Sequence, residues 1–234
     1  MALSTWWTTD PIPAFPPLAG FHARPAADFK ELASINSISL LEVTARRQSG
    51  HKPYVAFLND RPAGYGWVAT REASIGELSL TFSLPPGHRY LWDFATLPAF
   101  RGRGIYPRLL QAILQQEKQS AKHFWIIHAP ENLPSGTGID RAGFEPVGQL
   151  SFRLDGGVGL QPFENLARAQ AGADLLGAPL INSVLSPCWC CGGASEHRCG
   201  VEEAASCWPP LQREKIQPCT CGIAVHPSSE MRKS

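Results

Sequence analysis

Residues 101–106 read Arg-Gly-Arg-Gly-Ile-Tyr. They follow an apolar run of strand character, Tyr90-Leu91-Trp92-Asp93-Phe94-Ala95-Thr96-Leu97. They lead into Pro107-Arg108-Leu109-Leu110-Gln111-Ala112-Ile113-Leu114, whose apolar residues recur at helical spacing. A strand, a glycine-rich turn and a helix in this order aim free backbone N–H groups and the positive end of a helix dipole at one point. Such a point binds phosphate. Gly102 and Gly104 lack Cβ, so an anion approaches the backbone closely and the turn takes conformations other residues resist. Arg101 and Arg103 add positive charge.

Two other phosphate loops do not fit. A nucleotide P-loop needs Lys-Ser or Lys-Thr after its last glycine, and Ile105-Tyr106 follows here. A dinucleotide fingerprint needs a third glycine three places after the second, and position 107 is proline.

The loop instead resembles the acyl-CoA loop of the GNAT N-acetyltransferase superfamily, Arg/Gln-x-x-Gly-x-Gly/Ala. Arg101 and Gly104 match it, and Tyr106 replaces the last small residue. A second resemblance follows a strand-like run, Phe124 to His128. The family's closing pattern is Asn, a small residue three places on, Tyr at seven, and Gly-Phe at eleven and twelve. This chain has Asn132, Ser135, Ile139 and Gly143-Phe144 in that register. Ile139 stands where many members carry the tyrosine that protonates the departing CoA thiolate.

The resemblance covers about residues 21–153. It implies a mixed α/β fold (an α+β mixed sheet), acetyl-CoA or another acyl-CoA as co-substrate, and direct attack of an amine on the bound thioester. In such a fold Phe94, Ala95 and Thr96 would pair their backbone groups with the pantetheine arm. The diphosphate would sit on the backbone of Arg101, Gly102, Arg103, Gly104, Ile105 and Tyr106. Pro107 has no N–H and suits the first turn of a helix. Asn132 carries over as a polar contact to the cofactor.

Acyl transfer requires that the thioester be held, its carbonyl polarised and the amine deprotonated. Asp93 is the acidic residue on the central strand and the candidate base. It lies one place from the glutamate some relatives keep there, so its carboxylate points to the other face unless a bulge corrects it. Glu77, His128 and Glu131 compete for the role, and water is a further route for the proton. With Ile139 at the tyrosine position, Ser135 or Tyr106 is the candidate acid. Thiols ionise near pH 8.5, so the thiolate can also leave unprotonated.

Composition is consistent with a packed soluble protein. Of 234 residues, 44% are hydrophobic and 9% aromatic, which excludes global disorder. With 21 basic and 20 acidic side chains the net charge is +1, giving no bulk field for nucleic acid or an anionic membrane. The expected partner is a small-molecule or peptide amine, with neither nucleic acid nor membrane. Met1 to Asp10 contain no lysine or arginine and no apolar core of a secretory signal. The uncharged run 175–195 is broken by Pro179, Asn182 and Pro187 and does not read as a membrane span. The expected location is cytoplasmic.

The chain divides into three stretches. Residues 1–20, with Pro11, Pro13, Pro16 and Pro17, read as an extended proline-rich arm. Residues 21–156 read as the N-acetyltransferase-like domain. Within it, strands are expected near 21–24, 54–58, 65–69, 77–84, 123–129 and 144–153. Helices are expected over 26–47, split near Asn36, and over 107–121 and 135–142. After Gly156-Gly157 an alanine-rich helix to about Leu176 is expected. A cysteine-rich segment then completes 160–234.

All 7 cysteines fall between Cys188 and Cys221. Cys188 and Cys191 form a Cys-x-x-Cys step, and Cys219 and Cys221 a second tight pair. In a protein without a signal peptide such pairs suit structural zinc better than disulfides. Irregular spacing leaves redox-active thiols or an iron–sulfur cluster as alternatives. The sequence as a whole therefore reads as an acyl-CoA-dependent N-acyltransferase. Its alternative is a catalytically silent acyl-CoA-binding module with a partner-recognising cysteine-rich segment. A loop gripping an aminoacyl-tRNA end is opposed by the neutral charge.

Overall fold

The computed structural model describes residues 1–153 and 155–182. Its described elements run β1 (Ala2–Trp7), β2 (Phe21–Pro25), α1 (Phe29–Asn36), α2 (Leu40–Gln48), β3 (His51–Leu58) and β4 (Arg61–Ala69). They continue with β5 (Glu72–Ile75), β6 (Leu80–Ser83), β7 (His88–Thr96), α3 (Ile105–Glu117) and β8 (His123–His128). The last are α4 (Leu133–Ala142), β9 (Glu145–Phe152), β10 (Val158–Pro162) and α5 (Leu166–Leu176). Eight strands form one sheet in the order β10-β9-β1-β8-β7-β4-β3-β2, and β5 and β6 pair as a separate hairpin. β7 and β8 run parallel; the other neighbouring strands in the sheet are antiparallel.

Alternation along the strands sets what covers each face. Tyr54, Ala56 and Leu58 of β3, Leu91 of β7 and Phe124 and Ile126 of β8 pack with α3 and α4. Val55, Phe57, Tyr65 and Trp67 turn to the opposite face, with Leu32 of α1 and Val43 of α2. Farther along that face Tyr90, Trp125, Leu150 and Leu160 pack with the β5–β6 hairpin and α5.

The helix ends follow local chemistry. Asp28 accepts from the N–H groups of Lys30 and Glu31 and starts α1, and Ser39 accepts from Glu42 N–H and starts α2. Between them Ser37 takes a left-handed conformation with φ 56°. The expected 26–47 helix is thus split close to Asn36.

Three readings of the sequence change. The arm expected at 1–20 begins instead as a central strand, because β1 pairs with β8 on one side and β9 on the other. Both faces of β1 are covered, so Leu3, Ser4, Thr5 and Trp6 are all buried and no polar alternation marks it. Thr5 Oγ1 donates to Phe124 O at 2.8 Å and absorbs one of its polar groups. Only the part after β1 is an irregular connection. It crosses α3, where Gln111 Nε2 donates to Pro13 O and Arg108 Nη2 to Pro16 O. The strand expected at 77–84 is a hairpin, with a short 3-10 turn over Gly76–Leu78 between its strands. Finally, the sheet does not stop at 156: β10 pairs with β9, and α5 packs on the same core. Arg168 of α5 also closes an ion pair with Asp10 at 2.6 Å.

Candidate active site

The parallel pairing of β7 with β8 runs from His88↔His123 to Leu91↔Ile126 and stops there. Beyond it β8 stays paired with β1 as far as Ala2↔His128, while β7 stays paired with β4 as far as Gly64↔Thr96. The two strands therefore part along Trp92–Thr96. On the side toward β8, this stretch of backbone has no strand across from it.

A bulge lies in the same stretch. Trp67 pairs with Trp92 and Tyr65 with Ala95, so Asp93 and Phe94 stand together against Gly66. Asp93 takes φ 49°, the left-handed region that non-glycine residues seldom enter. The bulge breaks simple alternation. Phe94 turns to the α3 side, its ring against Gly66, where a Cβ would come within 2.0 Å. Asp93 turns to the side of α1 and α2 with Trp92. The bulge at Asp93–Phe94 places the Asp93 carboxylate on the α1–α2 face.

On that side the Asp93 carboxylate meets two helices. Arg46 Nη1 of α2 donates to Oδ2 at 2.5 Å, and Asn36 Nδ2 of α1 donates to the same oxygen at 3.3 Å. Arg46 also donates from Nε to Glu42 Oε1 at 2.8 Å, and its guanidinium lies over the Trp92 and Trp67 rings. Burial alone would make Arg46 easier to deprotonate, but the two carboxylates outweigh it and hold its pKa above the ordinary value. Asn36 Oδ1 accepts from Trp67 Nε1 at 2.7 Å, which fixes its amide. Neither Arg46 nor Asn36 carries a sequence signal. Only the positive φ of Asp93 makes them significant.

The glycine loop forms the strand-to-helix turn at the parting of β7 and β8. Gly102 has φ 76° and Gly104 has φ 68°, so both use the freedom expected of them. Gly104 is the N-cap of α3, with no side-chain cap bond, and no acidic residue occupies the first turn. The first-turn N–H groups of α3 thus have no side-chain cap, the kind of helix end that suits an anion. Arg101, Gly102 and Arg103 are exposed at this end, and Arg103 and Arg61 both lie over the Phe100 ring. Pro107 is the third residue of α3. Arg101 Nε reaches back to Thr96 O at 3.3 Å, so that carbonyl already has a donor.

Tyr106 points from α3 toward α4. Its hydroxyl lies 3.4 Å from Ser135 Oγ, and its ring centre is 5.6 Å from that of Phe94. Burial pushes its pKa up to about 12, against a weaker opposing effect of Ser135, so the phenol keeps its proton at neutral pH. Gly138 makes room for the ring, since a Cβ there would meet Tyr106 Cδ1 at 2.4 Å. Ile139 is buried in the core beside it. Asn132 is the N-cap of α4, its Oδ1 accepting from Ser135 N–H at 3.2 Å. The structure thus gathers Phe94, Tyr106 and Ser135 on the α3–α4 side and places Asp93 on the other side of the sheet.

The other base candidates lie apart from Asp93. His128 closes β8, its ring against Gly136. Burial and then the nearby Met1 amine lower its pKa to about 4, so it is neutral at pH 7. Glu131 and Glu77 act on the same amine, which donates to Leu150 O. Cys188, Cys191, Cys219 and Cys221 lie outside the described residues. Among the described residues no group of three or more His, Cys, Asp or Glu side chains could hold a metal ion. Among them, too, no helix is long and apolar enough to cross a membrane.

Several solved structures are similar to the chain. One is a GCN5-related N-acetyltransferase from Kribbella flavida, 18% identical, with 62% of this chain aligned to 53% of that one at a TM-score of 0.41. Another is AAC(6')-Iy in complex with a bisubstrate analogue, 14% identical, with 57% aligned to 96% at a TM-score of 0.45. A third is the aminoglycoside acetyltransferase AAC(6')-Ib in complex with coenzyme A and kanamycin, 19% identical, with 59% aligned to 90% at a TM-score of 0.44. The chain spans about half the length of the Kribbella protein. No curated protein matches the chain. The acetyltransferase (GNAT) family matches residues 9–144, more than half of the sequence and all of the strand, loop and helix described above. The chain belongs to the acetyltransferase (GNAT) family.

Proposed function

We propose that the protein transfers an acetyl or other acyl group from CoA to the amine of a small molecule or peptide. The observation that carries this reading is the stretch Trp92–Thr96 of β7, with no strand across from it on the β8 side, followed through the glycine loop by the uncapped N-terminus of α3. The free edge at Phe94 and Ala95 suits the amides of a pantetheine arm. The left-handed turn at Gly102–Gly104 suits the diphosphate, with Arg101 and Arg103 beside it. Asn132, already holding α4, has its amide nitrogen left for the cofactor.

The chemistry is one displacement. The amine lone pair attacks the thioester carbonyl carbon, a C–N bond forms, the C–S bond breaks, and the thiolate leaves. Asp93 faces the acceptor helices, and both of its hydrogen bonds end on Oδ2, so Oδ1 is the oxygen that takes the ammonium proton. The Tyr106–Ser135 hydroxyl pair supplies a proton to the thiolate on the opposite side. Asp93→Asn keeps a residue that tolerates the left-handed region but removes the base. It is expected to lower kcat about 100-fold.

The buried Ile139, where a tyrosine would bring its hydroxyl from α4, favours a second reading: an acyl-CoA-binding module without turnover. Thiol release from acetyl-CoA across an amine panel, with CoA binding measured by calorimetry, separates the two. Tight binding with no acceptor turned over supports the module, and absence of binding overturns both. For the cysteine pairs Cys188/Cys191 and Cys219/Cys221, structural zinc is the favoured role. Elemental analysis of the purified protein tests it.

A further inference from the structure

The least ordinary backbone in the central sheet is at Asp93, a non-glycine residue at φ 49° inside a strand. A bulge of this kind, one residue left-handed and two residues against one, most often has glycine at that position. Glycine would take the conformation without strain, whereas an L side chain there costs free energy. The conformation therefore has to be held by something outside the strand. The Asp93 side chain ends on two groups from two different helices: Arg46 at 2.5 Å and Asn36 at 3.3 Å. Neither group is loose. Arg46 is gripped by Glu42 and stacked on Trp92 and Trp67, and Asn36 is fixed by Trp67.

From this geometry we infer that Arg46, with Asn36, is a positioning residue that acts through Asp93 to hold the β7 bulge in its left-handed form. The inference rests on the reading of β7 as the strand that binds acyl-CoA. The bulge is what turns Phe94 to the α3 side and sets the register of Ala95 and Thr96 against β4. If Asp93 relaxes to an extended conformation, two residues no longer fit against Gly66 and the edge offered to pantetheine shifts. Helices α1 and α2, which pack on the face of the sheet opposite α3, thereby set the affinity for the cofactor. A side chain on α2 and the cofactor strand become one mechanical unit.

A mutant cycle on the full chain tests this, with CoA binding by calorimetry and steady-state kinetics in acetyl-CoA. Methionine at position 46 keeps an unbranched stem over the two tryptophans and loses the donors. Arg46→Met is expected to weaken CoA binding about tenfold, on the scale of a left-handed residue released from its support. It should raise KM for acetyl-CoA more than it changes kcat. Asp93→Gly alone should bind CoA within about twofold of wild type, since glycine needs no support. The double variant Arg46→Met/Asp93→Gly should return to within about threefold of wild type in CoA affinity, read by calorimetry alone because both glycine variants lack the base. Circular dichroism melts confirm that each variant is folded.

Arg46→Met binding CoA as tightly as wild type would overturn the inference. So would a double variant as weak as Arg46→Met alone, since Arg46 would then act by some route other than the bulge. Wild-type protein that fails to bind CoA would instead overturn the acyltransferase reading on which the inference rests.

Discussion

Arg89, at the root of β7, donates from Nε to Glu117 Oε2 in the last turn of α3 at 2.8 Å. Lys52 and the Tyr54 hydroxyl, both on β3, take the other oxygen at 2.7 and 2.8 Å. One carboxylate therefore pins the helix that follows the glycine loop to two strands. Burial by itself would raise the pKa of Glu117, but the bonds from Lys52, Arg89 and Tyr54 outweigh it and bring it to about 2. Because the folded value lies below the ordinary one, this contribution is present in full above the ordinary carboxylate range. It disappears as pH falls from about 4.5 toward about 2. Wild-type stability is expected to drop by about 3 kcal/mol across that window on this account. Glu117→Gln should cost roughly 3–5 kcal/mol at pH 7 by stranding Arg89, and flatten the acid dependence. Urea unfolding from pH 7 to pH 3 checks this, and parallel curves for the two proteins would refute it.

Placing β1 between β8 and β9 makes it structural in the strict sense. Trp6 is almost wholly buried and packs edge-on to Phe124 with ring centres 5.6 Å apart. Trp6→Ala is expected to cost roughly 3–5 kcal/mol, read from chemical unfolding. Deleting residues 1–7 should abolish the cooperative transition altogether, because β8 and β9 have no other strand between them.

The glycine loop predicts a binding defect without a folding defect. Gly104 has φ 68°, and a Cβ there would come within 2.5 Å of Arg108 Nη1. Gly104→Val strains the cap and crowds the anion position. A loss of CoA affinity of about tenfold or more is expected by calorimetry, with a melting temperature lowered by only a few degrees.

Tyr106 and Ser135 separate in kinetics. With its pKa pushed up to about 12 by burial, Tyr106 stays protonated through neutrality and produces no alkaline fall in rate below about pH 10. Tyr106→Phe keeps the ring against Phe94 and Gly138 and removes the proton. A fall in kcat of about tenfold is expected with CoA affinity unchanged, modest because a thiolate is already a fair leaving group. Ser135→Ala should do less if Tyr106 is the donor, and as much if the two act as a relay. A rate unchanged in both variants would remove the pair from the chemistry.

Most of the fold's core order was legible because it is written locally. The strand before Arg101, the two glycines and the periodic helix after them each obey a short-range rule, and α4 (Leu133–Ala142) covers the helix expected over 135–142, starting two residues earlier. β1 was not legible. Its partners are far away in sequence, both faces are covered, and the prolines that follow it suggested an arm. The bulge was half legible. The register offset of Asp93 was visible as a problem, but its solution depends on a left-handed residue and on Arg46 and Asn36, which only tertiary packing brings together. The tyrosine missing at Ile139 was visible as an absence. That the Tyr106 ring reaches α4 from the neighbouring helix follows from Gly138, whose missing side chain lets the ring in.

The position of β1 also dictates an order of events. The Met1 amine bonds to Leu150, 149 positions along the chain, and Thr5 bonds to Phe124 across 119. On a ribosome these residues emerge well before the strands they need, and have no sheet partner until β8 is made. Loop closure over such spans is slow. The first of the described strands thus depends on partners made much later in the chain, and Ala2–Trp7 acts as the keystone of the sheet.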